Sequence, residues 1–136
     1  MVSNYDIAKM FAAGRTKGRT KNVFIEGDTI YSYGHHFPIA KREPRLNGFL
    51  FNPLGYSSST AKHKSNVRSA LSGMDIVEVK NADLRYAREQ IEANKRDIMQ
   101  KQQKAARARS QQRRMAYLSD VAYKQSQNEK LKRFII

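Results

Sequence analysis

Cysteine is absent from all 136 residues, which excludes a disulfide framework, a thiolate zinc site and a cysteine nucleophile, and fits a reducing compartment. Glycine and proline are absent after residue 80, so nothing there punctuates a helical pattern. No apolar run approaches the roughly 20 residues of a membrane span, and the start, MVSNYDIAKMFAAG, lacks the charged opening and apolar centre of a signal peptide. The expected location is a host cell's cytoplasm or a virion, with no membrane partner. Acidic residues are scarce, 12 against 26 Lys and Arg, giving a formal net charge of +14 and a pI near 10.2. Such a balance points to a polyanion as partner.

What is present divides at about residue 80. Residues 1–80 hold all three prolines, five of the six phenylalanines and a charge of +6; residues 81–136 are rich in Ala, Gln, Lys, Arg and Glu and carry +8. The first part reads as a compact α+β domain (1–80), a small antiparallel sheet with short helices; the second (81–136) reads as one long basic helix with an apolar end, Leu131, Phe134, Ile135 and Ile136.

In the first part, Ser3 or Asn4 caps a helix to about Ala13, ended by Gly14. The tandem repeat Gly14-Arg15-Thr16-Lys17-Gly18-Arg19-Thr20-Lys21 reads as a mobile basic loop. Asn22–Glu26 and Thr29–Tyr33, joined by Gly27-Asp28, have the pattern of a hairpin, with Val23 and Ile25 on one face and Phe24 on the other. Further strands are expected at Ile39–Arg42, Phe49–Asn52 and Ile76–Lys80, with a helix from about Ala61 to Ser72 after the capping cluster Ser57-Ser58-Ser59-Thr60. From Asn81 to about Lys130 strong helix formers predict one continuous rod of about 70 Å at 1.5 Å per residue.

Within that rod, Lys101–Arg114 carries six positive charges and no negative one: Lys101, Lys104, Arg107, Arg109, Arg113 and Arg114. Charge around most of the circumference suits contact with phosphates and not a membrane helix, which needs an apolar face. A solvated surface serving only solubility is the plain alternative. Arg15, Lys17, Arg19 and Lys21 of the basic loop are further candidates for phosphate contact, as are Lys62, Lys64 and Arg68 of the helix after the serine cluster. Tyr31 and Tyr33 are candidates for stacking on bases, with core packing as the competing role.

His35 and His36 are adjacent and diverge on an extended segment, and the sequence has no acidic cluster with metal-ligand spacing, so no metal or cofactor is expected. No phosphate-binding glycine motif, nucleophile elbow or paired-carboxylate pattern occurs. The expected function is therefore non-enzymatic binding of DNA or RNA. A protein-binding module, either an inhibitor of a host complex or a virion component docking by its long helix, is the alternative, and a nuclease using the His35 region ranks last.

The segments NVFIEGDTIYSYGHHFPIA (Asn22–Ala40) and GYSSSTAKHKSNVRSAL (Gly55–Leu71) resemble a small domain of uncharacterised phage and phage-related bacterial proteins. The resemblance covers about half of the chain, excludes the long helix, implies a phage or mobile-element origin and brings no catalytic residues with it.

Overall fold

The computed structural model describes residues 2–135 and falls into two compact units, one ending at Asp83 and the other beginning at Leu84. The first is α+β. Helix α1 (Asn4–Ala12) begins where the Ser3 side chain accepts the Asp6 backbone N–H and the Asp6 carboxylate accepts that of Ser3, a reciprocal cap. Strands β1 (Lys17–Arg19), β2 (Val23–Glu26), β3 (Thr29–Ser32), β4 (Pro38–Glu43) and β5 (Gly48–Phe51) follow. Then come helix α2 (Ser58–Ala70) and strand β6 (Asp75–Glu78).

The six strands lie side by side in chain order. All neighbours are antiparallel except β5 and β6, which run parallel and are joined through α2, the kind of crossover a parallel pair requires. Gly27, at φ 66, makes the tight β2–β3 turn that L side chains disfavour. Ile7 and Phe11 of α1 pack with Val67 and Leu71 over Val23, Ile25, Ile30, Phe49 and Phe51 of the sheet to form the core. Burying side chains of this size stabilises by roughly 1.5–3 kcal/mol each.

Two local expectations change here. The Gly14–Lys21 repeat is not wholly a loop, because its centre forms the edge strand β1, paired with β2 at Gly18↔Ile25. Gly18 lies at φ 156, which L side chains rarely adopt, and a Cβ there would sit 3.0 Å from Met10 Cε of α1. Helix α2 also starts earlier than the apolar pattern indicates, at Ser58, because the Ser57 side chain accepts the Thr60 backbone N–H.

The second unit corrects the continuous rod. It is a pair of helices packed together, α3 (Ala87–Arg107) and α4 (Gln111–Lys132), turning back at Ala108-Arg109-Ser110. Ala108 is extended (φ −69, ψ 130), and the Ser110 side chain caps α4 by accepting the Arg113 N–H. Arg114 donates from Nε to the Ala105 carbonyl (3.3 Å) and from Nη2 to that of Ala108 (2.9 Å), satisfying carbonyls the end of α3 leaves open.

Between the helices, buried Asn94 donates to Asn128 (2.8 Å), and Asp97 faces Lys101 (3.3 Å) and Lys124 (3.6 Å). Lys101 also pairs with Asp120. Helix propensities in the turn differ by under about 1 kcal/mol per residue. The bend is therefore decided by partners that meet only when the helices fold back. Of the apolar end, Leu131 is buried and Phe134 and Ile135 are half-buried, while Ile136 lies outside the described residues.

Candidate nucleic-acid interface

Folding back changes what the acid-free segment presents. Its cations are gathered at the tip of a helical hairpin, from the last turns of α3 through the bend to the first turn of α4. Two of the six are occupied. Lys101 is held by Asp120 and Asp97, and the hydrogen bond to Asp120 is the main cause of a pKa raised above the ordinary lysine value. Arg114 is turned onto the carbonyls of Ala105 and Ala108.

Lys104, Arg107, Arg109 and Arg113 remain exposed and enter no ion pair or side-chain hydrogen bond among the described residues. Lys104 and Arg107 complement the negative end of α3, but the first turn of α4 has no acidic residue to offset its positive end. The two helix ends that meet at the tip offset each other, so its positive potential comes from the side-chain cations.

In the first unit, Lys17 and Arg19 lie on the edge strand β1, and Arg15 and Lys21 flank it; all four are exposed. The guanidinium of Arg19 lies 5.4 Å from the centre of the Phe24 ring. The structure separates the cations of α2. Lys62 is exposed. Lys64 is half-buried, donates to the Leu54 carbonyl (2.7 Å), and has its pKa lowered by burial. Arg68 pairs with Glu78 (3.0 Å) and covers the Phe51 ring at 4.3 Å. Lys64 and Arg68 thus serve the packing of this unit, a role their sequence neighbours do not reveal.

The two stacking candidates also differ. Tyr31 lies against Phe24 (ring centres 5.0 Å apart) and His35 (4.9 Å), so much of its ring is in use. Tyr33 is 45% exposed, touches His63 with ring centres 5.3 Å apart, and sits in the left-handed region at φ 65. Tyr56, absent from the sequence-based candidates, is the most open aromatic ring, 65% exposed, with His36 at 5.4 Å. The available signal was its position just outside the Ser57 cap, where no helix face claims it.

The histidines part as their adjacency predicts. His35 bonds to Glu26 (2.8 Å), whereas His36 turns to Tyr56. His63 Nδ1 and Ser32 Oγ are 2.7 Å apart, a pairing that resembles a nucleophile and its base. Ser32 is fully buried, however, and also contacts Thr60 (3.1 Å), so no substrate reaches it. The bonded group pins the β3–β4 turn to α2, and burial lowers the His63 pKa so that the ring is held neutral.

No cluster of three or more His, Cys, Asp or Glu able to hold a metal ion occurs among the described residues. No helix among them is long and apolar enough to cross a membrane. No family model, curated protein or solved structure matches this chain.

Proposed function

We propose that this chain is a non-enzymatic nucleic-acid-binding protein of phage type that contacts phosphates through the tip of its helical hairpin. One observation supports the reading above others: four exposed cations, Lys104, Arg107, Arg109 and Arg113, crowd a tip that has no carboxylate and no internal partners for them among the described residues. Counterion release on neutralising phosphates makes such binding fall steeply with salt.

The test is the dependence of oligonucleotide affinity on salt, measured for the wild type and for a variant with those four residues changed to Gln, which keeps helix propensity. Each lost phosphate contact reduces the slope of log affinity against log salt by about 0.7–0.9, so losing all four flattens it by roughly 3–4. Lys101→Gln, which removes a cation already held by Asp97 and Asp120, leaves the slope nearly unchanged. An unchanged slope in the fourfold variant removes the tip from the binding surface.

A second reading, a module that docks onto a host or virion protein complex, draws support from a neutral ridge on α4. Met115 and Leu118 are 61% and 47% exposed there, in a chain otherwise dominated by surface charge. Co-purification with a protein partner that survives nuclease treatment and is lost in Met115→Gln/Leu118→Gln favours this reading.

A further inference from the structure

The aromatic surface around the start of α2 indicates which form of nucleic acid the chain takes. Tyr33 and Tyr56 are large rings 45% and 65% exposed, the two most open tyrosines of this unit. Both are held to the same part of the fold. Tyr33 leaves β3 directly after Ser32, its N–H donates to the Asn22 carbonyl (2.7 Å), and its ring rests on His63 of α2. Tyr56 immediately precedes the Ser57 cap and contacts His36 and Phe37 of the β3–β4 connection.

The buried bonds from Ser32 to His63 and Thr60, and the part-buried one from Ser57 to Thr60, link β3 to the start of α2. Tyr33 and Tyr56 each directly adjoin one of these bonded residues, Ser32 and Ser57. The left-handed backbone of Tyr33 (φ 65) is a conformation that a bulky residue rarely adopts, and its ring is exposed immediately after a buried serine.

The surrounding charge selects the occupant. Lys21, beside the Asn22 that receives the Tyr33 N–H, and Lys62, in the second turn of α2, are both exposed and enter no ion pair among the described residues. Open aromatic faces, with cations one residue along the chain from Asn22 and His63 that Tyr33 contacts, fit a ligand with flat apolar rings on a negatively charged backbone. In a duplex the bases are stacked on one another and their faces are closed, whereas an unpaired strand offers them.

Resting on the nucleic-acid reading above, we propose that Tyr33 and Tyr56 stack on unpaired bases and that the chain's preferred ligand is single-stranded. The sites of Tyr33 and Tyr56 set base contact, and Lys21 and Lys62 add phosphate contact beside them.

The experiment compares binding of the full chain to a labelled 20-nucleotide strand of mixed sequence and to the same strand annealed to its complement, by fluorescence anisotropy at fixed salt. Wild type, Tyr33→Leu/Tyr56→Leu and Tyr33→Phe/Tyr56→Phe are compared, with circular dichroism to confirm that each is folded. The expected result is tighter binding of the single strand. The Leu variant loses about tenfold or more of that affinity, as is usual when a stacking ring is removed. Duplex binding stays level, and the Phe variant, which keeps the ring faces, retains single-strand affinity. Equal affinity for both forms, or a Leu variant that binds the single strand as the wild type does, overturns the stacking proposal while leaving phosphate binding in place. Failure to bind either form overturns the nucleic-acid reading itself.

Discussion

Asn94 of α3 donates a hydrogen bond from Nδ2 to Oδ1 of Asn128 on α4 at 2.8 Å, and both residues are almost fully buried. Asn128 Nδ2 in turn reaches the Ile91 carbonyl (3.4 Å), and Gln90 donates to Asn94 Oδ1 (3.1 Å). A buried amide that loses its partner keeps the cost of leaving water. Asn128→Leu is expected to destabilise the protein by about 1–3 kcal/mol in urea unfolding. Adding Asn94→Leu should return part of that loss, because two apolar side chains then face each other in place of an orphaned amide. A double variant no better than the single one refutes this coupling.

Lys101 serves the hairpin more than it serves a ligand. Its ammonium lies between Asp97 and Asp120, with side-chain exposures of about a third or less in all three. Lys101→Met therefore lowers the thermal unfolding midpoint, with a cost on the order of 1 kcal/mol for such partly screened pairs. Asp120→Asn should cost a comparable amount. If both variants melt with the wild type, the ion pairs contribute nothing measurable.

Gly48 is set against the backbone of β6, where a Cβ would drive into the Asp75 carbonyl oxygen. Gly48↔Asp75 is the first pair of the parallel β5–β6 register. Gly48→Ala must therefore displace backbone and not merely a flexible side chain, and a loss of at least about 1–3 kcal/mol is expected. Gly55→Ala, at a position with open space around it, should be nearly neutral and serves as the control.

The buried His63 predicts an acid limb to stability. Its pKa is lowered by burial, so the unfolded chain takes up a proton on this ring at a higher pH than the folded one does. Its contribution is intact above about pH 6.5, the ordinary histidine value. It declines as the pH falls through the interval down to the folded pKa. Urea midpoints measured from pH 8 to pH 5 should fall below about 6.5, and His63→Gln should flatten that fall even if it lowers stability throughout. Asp6 and Glu43 have lowered pKa values, so their losses come at still lower pH, outside this window.

Where one residue and its chain neighbours decide the geometry, the sequence was readable. The Ser3 cap, the Gly27-Asp28 turn and the strands on either side of it follow from local chemistry and from alternation. Strand β1 is not legible in the sequence, because the surroundings of Gly18 include Met10 and Ile7 lying over it, a tertiary fact. The bend at Ala108 is hidden for a related reason. Ala, Arg and Ser carry no strong breaker, and only Ser110 signals a new helix start, while the partners that favour turning back are about 20–35 residues apart in the chain.

The candidate interface shows the same division. The acid-free segment and its six cations were visible as a pattern. That Lys64, Arg68, Lys101 and Arg114 are engaged with Leu54, Glu78, Asp120 and the Ala105 carbonyl was not, because a charge in a sequence does not name its partner.

The order of the strands in the sheet matches their order in the chain, and this constrains how the first unit can assemble. Strands β1 to β5 can add one hairpin at a time, each step closing only a short loop. Strand β6 is the exception, since its parallel seat beside β5 is reached only across the whole of α2. The pairing of Asp75–Glu78 is therefore the contact of greatest sequence separation within the sheet and the one expected to form late. Changes confined to β6 should then raise the unfolding rate while leaving the folding rate almost untouched.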